Sequence, residues 1–547
     1  MLNNCNETAV NDNAIHSMSD NEKEISSQPD IKSSHSSDTD TESLEGELKT
    51  PVFDSETSDF DFLSEESDDD CNDQLNIKQE LAAWAVLFLI KNDALSALLC
   101  ILKRYGLSVP KDARTLLKTP RHVEVLTKAN GSYIYFGIQQ GIMRQLAKIK
   151  DMYVSNEVKL KINIDGIPLF KSSNASLWPI LCSFHKLKPF VVCLYYGLKK
   201  PSPIIDYLSD FKQELSHLLT SGVNLGTKNI KVSVLGIICD APARQYLKCI
   251  KSHTGYYCCE RCEIKGHRSN NQIVYYTPTL QALRTDDKFN NLDYKKIEGS
   301  NIEGHQISMS PLIGLVPCVS RFPLDYMHLV CLGVMRRMVY FWKKGSKISP
   351  KCKLSNASFN QISENLCLHA NEMPREFARK PRGLIHFEKW KATEFRQFLL
   401  YTGPVVLRNF LDKNSFKHFL SLSISMSVLL QDNSEMRNSY LGYVKSLLEF
   451  FVKESKKIYT ELFISYNVHN LLHLASDCET FNCSLNDISA FEFENCLQFL
   501  KRKVRSGKNP IAQIAARVIE ANSNFQENVT LASSLKCAQN LLITVFL

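Results

Sequence analysis

The sequence predicts an α/β protein, and the prediction rests on two apolar strands that each run into an aspartate, with an amphipathic helix between them. In VKLKINIDG, Val158, Leu160, Ile162 and Ile164 alternate with Lys159, Lys161, Asn163 and Asp165. That period of two marks a half-buried strand, here closed by an acid and a turn glycine. PFVVCLYYG reads as another strand, and YLSDFKQELSHLLTSG as a helix with glycine at its exit. VSVLGIICD is a continuous apolar run, the mark of a central strand covered on both faces, and it ends at Asp240. Strand and helix alternate as in an α/β sheet.

The flanking chain reads differently. Residues 74–150 are expected to be a small helical domain, because LAAWAVLFLIKNDALSALLCILKRYG places apolar residues at helical spacing before a glycine stop. In the stretch that follows, Lys111, Arg114, Lys118, Arg121 and Lys128 are scattered among turn residues. A DNA-contacting or dimerising element and a merely solvated loop both fit it. Residues 268–470 are expected to be mostly helical, with loop-like stretches near 268–322 and 344–385. A last helix in DISAFEFENCLQFLKRKVRSG takes Asp487 as its candidate N-cap. The core is thus divided into 151–267 and 471–520, with 521–547 as a C-terminal segment.

Charge divides the chain again. Residues 1–73 hold 21 Asp/Glu against 3 Lys/Arg, a net charge of −18, and too few apolar residues to offset ordering entropy. They are expected to form a disordered acidic tail. The remaining 62 basic and 37 acidic residues give +25, which suits a polyanion partner as well as a basic enzyme of any other kind. No run of about 18 uncharged apolar residues occurs, which argues against a membrane span. The start, MLNNCNETAV, lacks a charged-then-apolar signal pattern. Eighteen cysteines without secretion imply a reducing compartment, where thiols serve cores or metals.

Two constellations carry chemistry. If their strands are neighbours, Asp165 and Asp240 converge at one sheet edge, and a divalent cation such as Mg²⁺ relieves their repulsion. Two turn-forming aspartates would look the same in sequence. Glu494 lies three residues from both Phe491 and Leu497, so on a helix it shares their side, where a charge needs a partner; taken alone, a surface glutamate is the plainer reading. Glu492 is the fallback third acid. Cys259-Glu-Arg-Cys262 has zinc-ligand spacing, and His469 and His473 stand at i,i+4. Each pair is weak alone, and core thiols and core histidines are the plain alternative. Cys258 and His253 are substitute ligands. Asp325-Tyr-Met-His328, read bare, is a capping acid and a helix histidine.

At these residues the chain resembles the tnp2-like (CACTA/EnSpm, CMC superfamily) DDE transposases of the animal type, a group also similar to the catalytic core of the V(D)J recombinase. The resemblance runs in order over about 150–520. It comprises NIDGIPLFKSSNASLWPIL, VLGIICDAPAR, YYCCERC with Cys259 19 residues after Asp240, PLDYMHLVCLGV, VHNLLH, and FEFEN with Glu494 21 residues after His473. It implies an RNase H-like (retroviral integrase-like) catalytic domain interrupted by a large all-α insertion. Asp165, Asp240 and Glu494 match the DDE acids that hold two Mg²⁺ (or Mn²⁺) ions. Cys259, Cys262, His469 and His473 match a structural Zn²⁺ site, and Asp325 and His328 match an acid-x-x-His motif near the active site.

The activity so implied is metal-dependent DNA strand cleavage and strand transfer, in the nucleus, on transposon ends and target DNA, by a homodimer or higher synaptic complex. Arg244, Lys501, Arg502 and Lys503 are the candidate DNA contacts. A domesticated non-catalytic DNA-binding or regulatory protein, and an RNase H-like nuclease, are the alternatives. The chain departs from the group in having no compact Cys/His module ahead of the core.

Overall fold

The computed structural model describes residues 77–149, 155–226, 228–276, 281–345 and 352–525. The acidic tail expected over 1–73, and residues 526–547 of the expected C-terminal segment, lie outside them.

Nine strands form one mixed sheet: β1 (Leu126–Lys128), β2 (Gly131–Tyr135), β3 (Glu157–Ile164), β4 (Ile167–Pro168), β5 (Ser176–Leu177), β6 (Ile180–Ser183), β7 (Phe190–Gly197), β8 (Val223–Asn224) and β9 (Asn229–Ile237). Their order is β1-β2-β7-β6-β3-β9-β8, with β5 also paired to β7 and β4 to β5. Within this sheet only β3 and β9 run parallel; the other pairings are antiparallel. Beyond β9 the backbone of Arg321 accepts from Ile237 N–H at 2.8 Å, so an extended segment lies along the free side of that strand's end.

Helices α1 (Ile77–Leu87), α2 (Asn92–Arg104) and α3 (Ala113–Leu116) precede the sheet; α4 (Ile138–Lys148) and α5 (Ile204–Ser221) connect its strands, and α6 (Ala241–Lys248) follows the last of them. A ribbon of β10 (His267–Ser269) and β11 (Gln272–Val274) and a short α7 (Asp286–Asn290) follow. A π-helical stretch, Met327–Met335, runs into α8 (Arg336–Lys344). After it come α9 (Asn356–Leu368), α10 (Ala392–Gln397), α11 (Gly403–Val406), α12 (Lys413–Leu429), α13 (Ser434–Ser439), α14 (Leu441–Tyr459), α15 (Tyr466–Asn470), α16 (Leu474–Phe481), α17 (Phe491–Arg502) and α18 (Pro510–Phe525).

The two faces of β3 explain the layering. Val158, Leu160, Ile162 and Ile164 join Ile138, Ile142, Tyr207, Phe211, Leu215 and Leu247 of α4, α5 and α6 in one core. Each fully buried side chain of this kind contributes roughly 1.5–3 kcal/mol. Helix α5 ends at Gly222 with φ 71°, where a Cβ would stand 2.5 Å from the Ile230 carbonyl oxygen, so the reversal into β8 requires glycine. The opposite sheet face, with Leu177, Leu181, Leu194 and Ile238, packs on the helical layer through Phe493, Leu497, Ile514 and many others.

Four expectations are corrected here. Strand β3 is not half-buried along its length, because Lys161, Asn163 and Asp165 are also buried under the helical layer. Residues 74–150 are not helical throughout: β1 and β2 hairpin onto β7 and complete the sheet, where tertiary pairing overrides a short ambiguous local pattern. Residues 268–470 include the β10–β11 ribbon, and α9 forms inside the expected loop of 344–385, capped by Ser355 and burying Phe359, Ile362 and Leu366. Helix α18 crosses the boundary expected at 520 and packs on α1; Asn524 Nδ2 donates to Leu117 O at 3.0 Å. The described residues, all within 77–525, form one compact unit.

Candidate functional site

The parallel pair β3–β9 ends in acids on both strands. The last paired residues are Ile162 and Ile237, and Asp165 and Asp240 each follow three residues later, which brings both carboxylates to one end of the sheet. Gly166 is needed for close approach rather than for its φ: a Cβ there would stand 2.4 Å from the Trp178 ring. Asp165 is buried, and its Oδ1 accepts from Gly166 N–H at 2.7 Å. Asp240 caps α6, its Oδ1 accepting from Ala243 N–H at 2.7 Å. The second oxygen of each has no hydrogen-bond partner among the described residues.

Glu494 enters from the first turn of α17. That helix begins at Phe491 and is not capped by Asp487, which instead accepts from the Ser484 N–H and hydroxyl at 3.1 and 2.8 Å. The cap comes from across the fold: Asp325 Oδ1 accepts from Ala490 N–H at 2.8 Å. Asp325 Oδ2 accepts from His328 Nδ1 at 2.5 Å, and His328 Nε2 faces Glu494 Oε1 at 4.0 Å. Glu492 points elsewhere. Its Oε1 takes Lys161 Nζ at 2.6 Å and the Ser183 hydroxyl at 2.8 Å.

Electrostatics joins these groups. Burial, then the charges of Asp240 and Glu494, push the Asp165 carboxyl well above its ordinary range. Burial also raises Glu494, against His328 and with help from Asp325 and Asp240. Burial works against the His328 imidazolium, yet the Asp325 hydrogen bond and charge, then Asp240 and Glu494, raise it to about 9. Asp325 is opposed by burial but held below its ordinary value by His328 and by the Ala490 and His328 N–H groups. For Asp165 and Glu494 burial sets the direction, and the like charges of neighbouring carboxylates add to it.

The second cluster is tighter. Cys259, Cys262, His469 and His473 are buried, and their donor atoms all lie within 4.8 Å of one another; among the described residues no other group of three or more His, Cys, Asp or Glu does so. The edges are 3.6 Å between the thiols, 3.4 Å between the two Nε2 atoms, 3.5 Å from Cys259 to His473 and 3.3 Å from Cys262 to His469. A tetrahedron with the usual Zn–S and Zn–N bonds has edges of about 3.8, 3.4 and 3.6 Å for S–S, N–N and S–N pairs. The Nε2–Nε2 separation is too long for a good hydrogen bond, so the four donors fit a metal better than they fit one another. The residues fit, and this cluster could hold a structural metal.

His469 and His473 do not share one regular α-helix. A 3₁₀ turn, Leu471–His473, interrupts it between α15 and α16. Cys258 and His253 are not ligands: the Cys258 thiol is buried and pushed up by burial, and His253 Nδ1 faces Gln245 at 3.0 Å.

A buried ion network surrounds this cluster, and no sequence reading anticipated it. Arg244 Nε and Lys248 Nζ both donate to Glu260 at 2.8 Å, and the Tyr466 hydroxyl donates to Glu260 Oε1 at 2.8 Å. Arg261 donates to both oxygens of Asp477 at 2.8 and 3.1 Å and to the carbonyls of Val319 and Phe322. Glu260 and Arg261 are the two residues inside C-x-x-C, and charge at that place is the only signal the sequence held. Arg244 and Lys503 are therefore corrected as DNA contacts. Arg244 is consumed by Glu260 and the Cys239 carbonyl, and Lys503 is buried against the Phe499 ring at 4.1 Å, where burial lowers it to about 8. Lys501 is half-buried and Arg502 exposed.

No family model matches the chain, and no curated protein matches it.

Proposed function

We propose that this chain is a DDE-type DNA transposase of the tnp2-like (CACTA/EnSpm) group, or a protein descended from one. One observation carries the reading: Asp165 and Asp240 close adjacent parallel strands, while Glu494, on a distant helix, is raised by Asp240 and in turn raises Asp165. The strand order β7-β6-β3-β9, antiparallel until its last pairing, supports an RNase H-like core. The helical chain between β9 and α17 supports the insertion.

The acids are spread wider than the Cys/His set, which suits two ions rather than one. Two metals about 3.5–4 Å apart, with bonds of about 2 Å, leave outer ligands up to about 8 Å from one another. Bound there, Mg²⁺ or Mn²⁺ would activate water or a DNA 3′-OH and stabilise the leaving oxygen. The free oxygens of Asp165 and Asp240 and the Glu494 carboxylate supply the anionic ligands. Asp325 fixes the start of α17 and orients His328, which holds a proton beside Glu494. Cys259, Cys262, His469 and His473 would hold structural Zn²⁺, pinning the insertion to the Asp240 side of the core. The reading expects nuclear location, DNA as partner and a homodimer or higher synaptic complex.

The test is strand nicking and transfer on DNA with Mg²⁺ or Mn²⁺, comparing the unaltered chain with Asp240→Ala. Loss of cleavage in the variant is expected; equal activity in both would remove the metal role.

A further inference from the structure

We infer that Arg396 is a phosphate-binding residue for the strand held at the acids. The inference rests on the nuclease reading above and names a residue that neither the sequence motifs nor the acid set supplies. Arg396 lies on α10, and its guanidinium sits over the rings of Tyr326 and Phe491, 5.8 and 5.7 Å from their centroids. Tyr326 follows the capping acid Asp325, and Phe491 precedes Glu494 by one helical turn, so both rings belong to segments that carry acid-site residues.

Its bonding is incomplete in a way that singles it out. Every other buried or half-buried arginine among the described residues donates at least one hydrogen bond, from Arg244, Arg261 and Arg284 in the ion network to Arg337, Arg382 and Arg437 in the helical layer. Arg396 is half-buried and makes neither a hydrogen bond nor an ion pair with any described residue. A guanidinium has five donors and cannot discharge by losing a proton. Contact with two rings restricts the guanidinium, and its N–H groups find no acceptor among the described residues. A planar donor fork selects carboxylate or phosphate, and phosphate is the ligand the neighbouring acids imply. Those acids repel a polyanion, and a cation on the segments that carry them offsets part of that repulsion.

The experiment measures binding of the full chain to a DNA duplex of arbitrary sequence in Ca²⁺, which supports binding without turnover, across a salt series. Arg396→Ala is expected to weaken binding about tenfold and to reduce the salt slope by about one. Arg396→Lys is expected to keep the slope while losing part of the affinity, since an ammonium restores charge but not the stacked fork. Thermal melting of both variants should stay within a few degrees of the parent, since only the ring contacts and no protein hydrogen bond are removed. Parent-like affinity and slope in Arg396→Ala would overturn the inference while the acids' role stood. Failure of the parent chain itself to bind DNA would instead overturn the nuclease reading, and the inference with it.

Discussion

The Cys/His cluster and the acid set are built on opposite plans within one core. The four soft ligands sit at near-tetrahedral edges, all buried, backed by the Glu260 and Arg261 ion network. The acids are held farther apart, two of them spending one oxygen each on backbone N–H groups, with Asp240 and Glu494 only half-buried. A site whose geometry is complete in the protein alone suits a permanent metal. A site that stays strained by its own charge suits ions that arrive with a phosphate. Rigidity at the first lends position to the second, because Arg244 belongs both to α6, which Asp240 caps, and to the shell of Cys259.

The contrast can be broken most severely at the tight cluster. Cys259→Ser, or prolonged chelation, should release about one zinc per chain and cost several kcal/mol of stability, since binding energy at such a site is folding energy. Elemental analysis beside thermal melting reads both, and an unchanged metal content would end the zinc assignment. At the loose cluster, Glu494→Gln should lower cleavage about a thousandfold or more with little change in melting. Glu492→Gln should do the reverse, costing about 1 kcal/mol through Lys161 and Ser183 while leaving activity near parental. Comparable activity losses in the two would dissolve the distinction between them.

The bridge between the clusters gives a smaller effect. Arg244→Ala strands the buried Glu260 with only Lys248 and Tyr466, and should cost about 3–5 kcal/mol in chemical denaturation. A loss below about 1 kcal/mol would show that the network does not support the fold. Buried histidines add an acid response of similar size. His418, lowered to about 4 by burial, donates Nε2–H to the Phe451 carbonyl at 3.0 Å, and His305, lowered to about 3 by burial, Arg284 and Lys248, is equally held neutral. The unfolded chain takes up these protons near 6.5, so stability is full above that pH and declines as pH falls towards 4. His418 alone accounts for a decline on the order of 3 kcal/mol. Urea unfolding from pH 7 to pH 4 should show a shallower decline in His418→Phe than in the parent.

What the chain spelled out locally was the period of its strands and the chemistry at their ends. VKLKINIDG and VSVLGIICD announce two strands and two acids because alternation and apolar runs are decided by neighbouring residues. Helices α5 and α14 announce themselves for the same reason. The pairing of Cys259 and Cys262 with His469 and His473, across some two hundred residues, was suggested only by the ordered resemblance; spacing alone left core thiols equally open.

Only the tertiary structure decided which charges meet. Arg244 and Lys503 looked like phosphate contacts because sequence shows a charge without its surroundings, and burial against Glu260 and Phe499 gave them other work. Asp487 looked like a cap, yet Asp325 caps α17. Glu492 and Glu494 are two residues apart, and the difference between an ion pair with Lys161 and a place among the acids is a rotation about a helix axis whose direction the packing of α17 on the sheet sets. A residue's type is a property of the chain; its partners are a property of the fold, since Coulomb and hydrogen-bond energies depend on distances that no local pattern fixes.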